Sequence, residues 1–275
     1  MKAAAVRRAM AFAAAAFLVL VVVSCFIVVV DPPLTHKSQT FFITYGDNNF
    51  KNSKQRLRKE AEATNLFDHV IVYEPQDVEK ILANAPRATL DVFHEKRGGG
   101  FWIWKPLILQ EQLKHMDEGD VLIYADAGCT LSNKQTDISN TISSIKKHDI
   151  GISHCKSYSS WSRKFYGRKD VVTGLVTDVD KFYSSNDESS GLEYQANRLI
   201  VQKRPSSVDF IDRWAKVAYE KPRWFTDDKS AIPNTLEFVE HRHDQTIYNA
   251  LAIELDVSGE TCNFNTWLRD ARIRG

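Results

Sequence analysis

Between Gly98 and Cys129 the chain runs through a glycine-rich aromatic loop, a helix, and a short apolar segment that stops at a carboxylate. No other stretch limits the fold as much. Val121–Tyr124 is apolar and β-prone, so it belongs in the middle of a sheet covered on both faces. Asp126 stands where that strand ends, before Ala127 and Gly128. In open α/β sheets, ligands bind outside the carboxyl ends of strands. An acid delivered there by a rigid strand is placed to hold a metal ion or a sugar hydroxyl; the plainer reading makes it a turn residue.

The flanking pattern agrees with a sheet of this kind. Strand-like segments at Phe41–Tyr45, Val70–Tyr73, Val121–Tyr124 and Ile150–His154 alternate with helical patterns at Ser53–Thr64, Pro75–Asn84, Pro106–Met116 and Ile138–Lys147. Alternation predicts a single α/β domain with a mostly parallel central sheet flanked by helices. The second half is less regular. Ser157–Asp170 is polar and aromatic, either a flap over a site or ordinary surface. Asn197–Gln202 reads as a strand, and Ser206–Tyr219 as a helix burying Val208, Phe210, Ile211 and Trp214. Glu240–Glu254 reads as the last long helix.

Lys2, Arg7 and Arg8 precede an uncharged apolar run over residues 9–30, long enough to cross a bilayer as a helix. The positive flank is N-terminal, so residues 1–8 are expected in the cytosol and the body on the far side. A cleavable signal peptide would have a shorter apolar region. The expectation is an uncleaved single-pass type II anchor, a short stem over 31–39, and a domain over 40–275. A net charge of +1 offers no field for nucleic acid. Of four cysteines, Cys25 lies in the anchor. Cys129, Cys155 and Cys262 cannot all pair internally, which leaves open a Cys155–Cys262 bridge with Cys129 buried near the site.

Four groups converge if the strands are ordered as in a nucleotide-binding α/β fold. Thr44, Tyr45, Gly46 and Asp47 end the first strand, where an aromatic can stack on a base and an acid can hold hydroxyls. In the run Arg97–Pro106, Gly99 and its neighbours allow close backbone approach. Trp102 and Trp104 fall on one side if that run is extended. Arg97 and Lys105 bracket it, and a helix start with a lysine suggests a diphosphate cradle. The third group is Asp126. In the fourth, His241, Asp244, Gln245 and Tyr248 share one helical face beside an apolar one.

Here the sequence resembles a family. Ile-Tyr-Ala-Asp-Ala-Gly after a buried strand is similar to the Leu-Asp-Ala-Asp segment of GT-A glycosyltransferases. Asp244-Gln245 with the following Thr-Ile-Tyr-Asn resembles their Asp-Gln-x-x-hydrophobic-Asn segment. The Gly-Gly-Gly-Phe-Trp-Ile-Trp-Lys-Pro run, taken with Glu-His-Arg-His-Asp-Gln, looks like a less-studied branch of that superfamily. The likeness covers roughly residues 40–255. It implies transfer of a sugar from a nucleoside diphosphate sugar to a hydroxyl of a glycan, glycoprotein or glycolipid, in the lumen of the Golgi or endoplasmic reticulum. The nucleotide would meet Thr44–Asp47, with Arg97, Gly99, Trp102, Trp104 and Lys105 around the donor. Asp244, Asp126 and Gln245 would serve catalysis, with Asp228 and Glu240 as reserve bases. Mn²⁺ or Mg²⁺ would sit at Asp126 with His241 or His243.

One departure bears on the metal. The family's motif has two acids separated by one residue, and here Gly128 holds the second position. Either the donor diphosphate and a histidine complete the ligand set, or Arg97 and Lys105 neutralise the leaving group without a metal. The missing acid also fits a different protein: a non-catalytic glycan- or nucleotide-binding membrane protein with a decayed transferase fold. A hydrolase using Asp126 and Asp244 as a carboxylate pair is a third reading.

Overall fold

A computed structural model describes residues 37–147, 150–156, 162–183, 192–257 and 264–271. The chain divides into two units, Met1–Lys37 and Ser38–Gly275, and the second holds every element described below. The expected tail, the anchor over residues 9–30 and most of the stem lie outside the described residues. Among the described residues no helix is long and apolar enough to cross a membrane.

The first half builds strand, helix, strand as the alternation predicts. Strand β1 (Thr40–Tyr45) leads into helix α1 (Lys51–Glu62), then β2 (His69–Tyr73), α2 (Pro75–Ile81) and α3 (Arg87–Phe93). Helix α4 (Trp104–Lys114) carries Pro106 in its first turn, where the missing N–H has no helical partner to lose. It delivers the chain to β3 (Val121–Ala125). Then follow β4 (Cys129–Leu131), α5 (Gln135–Ile145), β5 (Ile152–Lys156), β6 (Tyr194–Gln202), α6 (Pro205–Glu220), α7 (His243–Glu254) and β7 (Leu268–Asp270), with short helical turns between β5 and β6. Helix α3 and strand β4 have no counterpart in the sequence pattern.

The main sheet runs β2-β1-β3-β6-β5. β1 pairs in parallel with β2 and β3, while β6 is antiparallel to both β3 and β5. Four of the five strands therefore point one way and β6 alone runs against them. Side-chain alternation divides the strands between two apolar layers. Phe41, Ile43, Leu122, Tyr124, Leu199 and Val201 face α2, α3, α4, α6 and α7. Phe42, Val121, Ile123 and Ile200 face α1, α5 and the C-terminal Phe264 and Trp267. β3 lies at the centre, and Val121, Leu122 and Ile123 are fully buried. Each contributes on the order of 1.5–3 kcal/mol through burial alone.

The glycine-aromatic run is not extended. Gly98, Gly99, Gly100, Phe101 and Trp102 all have positive φ, from +51° to +93°. Phe101 N–H donates to Arg97 O at 2.7 Å and Trp102 N–H to Gly98 O at 3.3 Å, a helical bonding pattern of left hand. Glycine adopts this conformation freely, but Phe101 and Trp102 each bear roughly 1–2 kcal/mol of strain. This corrects the expectation that both tryptophans lie on one side. Trp102 closes the left-handed turn, and Trp104 opens α4.

Candidate active site

The end of β1 and the left-handed turn meet at an aromatic stack. The Tyr45 ring lies on the Trp104 ring, with centroids 4.0 Å apart and planes at 29°. Trp104 Nε1–H donates to Gly98 O at 3.2 Å and ties the indole to the turn. A methyl placed on Gly99 would lie 3.5 Å from Asp47 Oδ2 and 3.8 Å from the Tyr45 hydroxyl, so turn and strand end form one wall. Asp47 caps the next turn by accepting from Asn49 N–H at 2.9 Å. Gly46 O accepts from buried Lys54 Nζ at 2.7 Å. Thr44 is fully buried, and its hydroxyl has no hydrogen-bond partner among the described residues.

Next along α4 is Lys105, with only 2 % of its surface exposed. Its Nζ lies 2.6 Å from Asp244 Oδ2 and 3.3 Å from Asp126 Oδ1. The Asp244 contact is an ion pair rather than a well-aimed hydrogen bond, since Oδ2 has no partner of hydrogen-bond geometry. The ammonium also lies over the rings of Trp104 and Tyr124, at 5.7 and 5.6 Å from their centroids. Burial alone would pull the Lys105 pKa down, but the two carboxylates more than offset it and hold it above its ordinary value. Asp244, 5 % exposed, is pushed up to about 6 by burial, against the pull of Lys105 and with the push of Asp126. The Tyr124 hydroxyl donates to Asp126 Oδ1. Asp126 keeps 29 % of its side chain exposed and is the open member of the group.

The His-Arg-His-Asp-Gln segment does not form one helical face. α7 begins at His243, itself at φ +50°, so His241 precedes the helix. Buried His241 donates from Nε2 to Trp224 O at 2.7 Å, which leaves Nδ1 a buried acceptor without a partner. Burial, with Arg168 and His243 nearby, holds its pKa well below the usual range, so the ring is neutral. His243 donates from Nε2 to Asp227 Oδ1 at 2.9 Å and packs on Phe101 and Trp102. Arg97 Nη1 donates to the other oxygen of Asp227 at 2.7 Å. Tyr248 meets His154 deep in the core, its hydroxyl 2.7 Å from Nδ1. Gln245 donates from Nε2 to Glu193 Oε2 at 2.8 Å and accepts from Ala196 N–H at 3.2 Å.

The structure thus brings Tyr45, Asp47, Gly99 and Trp104 together, and joins them through Lys105 to Asp126 and Asp244. Arg97, Trp102 and His243 form an adjoining cluster around Asp227. Beside it opens a cleft of about 690 Å³, lined by Asp227, Asp228, Ser230, Asn234, Glu240 and His241 among others. Three participants escaped the sequence reading. Tyr124 lies two residues before Asp126, hence on the same side of the strand, and that spacing could have found it. Asp227 neighbours the Asp228 that was considered. Glu193 precedes β6 and carried no signal.

Glu193 is almost wholly buried, and burial pushes its pKa up to about 8 against the pull of Gln245, Arg242 and Arg163. The fold therefore holds a proton that the unfolded carboxyl releases near 4.5. The stability tied to that proton is complete below the lower value and is lost as pH rises towards about 8. Glu193→Gln, which keeps an acceptor and cannot ionise, is expected to gain in Tm over the wild type across that window. Parallel Tm-against-pH curves for the two proteins would contradict this.

The residues do not fit a divalent ion as expected from the sequence. Asp126 is engaged by Tyr124 and Lys105, and His243 by Asp227. His241 offers one imidazole nitrogen, but no group of three His, Cys, Asp or Glu side chains that could hold a metal occurs among the described residues. Cys155 is disulfide-bonded, while Cys129 is free and buried. The expected partner, Cys262, lies outside the described residues.

No family model and no curated protein sequence matches the chain. Among solved structures it is similar to several glycosyltransferases. For mouse xyloside xylosyltransferase 1 the TM-score is 0.43 at 8 % identity, over 82 % of this chain and 84 % of that one. For the bifunctional glycosyltransferase WbbM it is 0.39 at 10 %, over 80 % and 38 %. For the galactosyltransferase LgtC in complex with donor and acceptor sugar analogs it is 0.37 at 12 %, over 77 % and 70 %. At such values the likeness assigns no chemistry to this chain.

Proposed function

We propose that the protein transfers a glycosyl group from a nucleoside diphosphate sugar to a hydroxyl of a glycan-bearing acceptor. One observation carries the reading: an open carboxylate, Asp126, stands at the C-terminal end of the central strand beside a stacked aromatic pair and a glycine turn. That end of an α/β sheet is where ligands bind. Lys105 sets a single positive charge against the two carboxyl groups of Asp126 and Asp244. Such a group repels an anion at its own centre. It favours hydroxyls and the positive charge that develops at an anomeric carbon as the bond to the leaving group stretches.

The roles follow from exposure. Asp126 touches the substrate; buried Asp244 holds Lys105 in place. The Tyr45–Trp104 stack and Gly99 form the donor wall. Arg97, half exposed at the edge of the turn with Nη1 held by Asp227, presents the rest of its guanidinium to the departing diphosphate. The adjoining cleft, with Asp228 and Glu240 in its lining, receives the acceptor and supplies the candidates for the base. The uncharged apolar run over residues 9–30, read as an anchor, and the disulfide at Cys155 support placing this domain in the lumen of the Golgi or endoplasmic reticulum.

A thermal-shift series with nucleoside diphosphate sugars, followed by transfer assays with the stabilising donor, tests the reading. The wild type is expected to be stabilised by at least one donor. Asp126→Asn is expected to lose roughly 10²–10⁴-fold in transfer rate while remaining cooperatively folded at the assay temperature. No stabilisation by any donor, or full activity in Asp126→Asn, would remove the proposal.

A further inference from the structure

Two carboxylates from distant parts of the chain, Asp126 at the end of β3 and Asp244 in the first turn of α7, converge on one point. Two acids brought together in a largely buried place need either a shared proton or a cation between them. Proteins often use a divalent ion with oxygen ligands. Here the point is taken by Lys105 Nζ, 3.3 Å from one carboxylate and 2.6 Å from the other. The ammonium is not a passing visitor. Its stem is buried in the first turn of α4, and the rings of Trp104 and Tyr124 both lie within 5.7 Å of it. Tyr124 and Lys105 both bind Oδ1 of Asp126, so the carboxylate is held by one oxygen and no described residue bonds Oδ2.

We propose that Lys105 is a built-in substitute for a divalent cation. Its ammonium completes the Asp126–Asp244 pair, positions Asp126 with Oδ2 free for a substrate hydroxyl, and leaves no vacancy for a metal ion at this point. Lys105 is a positioning residue that acts through Asp126. The inference rests on the transferase reading only for what Oδ2 meets. The substitution of a fixed ammonium for a metal stands on the geometry alone.

The test uses the purified full-length protein. Thermal unfolding is followed with Mn²⁺, with Mg²⁺ and with a chelator, for the wild type, Lys105→Ala, and Lys105→Ala combined with Asp126→Asn. Mn²⁺ binding is read directly by the loss of its free electron paramagnetic resonance signal. The wild type is expected to show neither a Tm shift nor Mn²⁺ uptake. Lys105→Ala opens a space between two carboxylates and is expected to bind one Mn²⁺ and gain in Tm. The double variant is expected to do neither. Refolding of Lys105→Ala in Mn²⁺ but not in chelator would support the proposal equally. Mn²⁺ uptake by the wild type at this pair, abolished by Asp126→Asn, would overturn it. So would a Lys105→Ala protein that Mn²⁺ neither binds nor restores. None of these readouts needs a donor sugar, so a failure of donor binding would sink the transferase reading and leave the role of Lys105 standing.

Discussion

Lys105→Met is expected to lower stability by about 3–5 kcal/mol at neutral pH, the cost typical of breaking a buried ion pair by removing one partner. Methionine fills most of the lysine's volume, so the loss reports on charge rather than on a cavity. What remains is two carboxylates, one of them nearly inaccessible to water, with nothing between them. They relieve the conflict only by taking up a proton. The deficit should therefore shrink as pH falls through the carboxylate range, because protonation supplies what the ammonium supplied. For a domain of this size the neutral-pH change corresponds to a fall in Tm of roughly 6–20 °C. Urea unfolding at neutral and mildly acid pH measures both parts. A loss under about 1 kcal/mol at neutral pH would show that the three groups do not act as a buried ion triad.

A comparable effect is expected from Gly100→Ala. The added methyl would stand 2.4 Å from the carbonyl oxygen of Phe93 and 2.7 Å from its Cα, both main-chain atoms at the end of α3. The backbone there also has φ +93°, which alanine resists. Strain and forced displacement together are expected to cost roughly 2–5 kcal/mol. Gly99→Ala is the control. It shares the left-handed conformation, but its methyl would meet nothing nearer than 3.5 Å, so only the conformational part, about 1–2 kcal/mol, should appear. Chemical denaturation of the two variants separates crowding from handedness. Equal losses would mean that the approach to Phe93 relaxes freely.

The contrast shows what was legible in the sequence and what was not. β3 was readable because a central strand must be apolar along its whole length, and Asp126 because a carboxylate breaks that run. The helices showed their buried residues, with boundaries off by a few residues. The turn at Gly98–Trp102 was readable as permissive but not as left-handed, since two of its members are aromatic and bear the strain against local preference. The convergence of Lys105 on Asp126 and Asp244 was hidden for another reason. A lysine before a helix suggests an anion, and nothing local says that a strand end and a distant helix start will claim it first. His241 and Asp244 share a face only if the helix begins early, and the positive φ of His243 starts it later.

The direction of β6 decides which chain reversals evolution or an engineer can alter without consequence. Because it runs against β3, its beginning lies beside Asp126, whose N–H donates to Asn197 O at 2.9 Å. Its end lies at the opposite edge, where Lys203 N–H donates to Asp120 O at 2.8 Å. An all-parallel sheet would have sent the exit of that strand to the acids. Here the entrance arrives instead, with Glu193 and Tyr194. Residues inserted ahead of Tyr194 would therefore fall at the edge that carries Asp126, whereas residues inserted after Lys203 would lengthen the far rim.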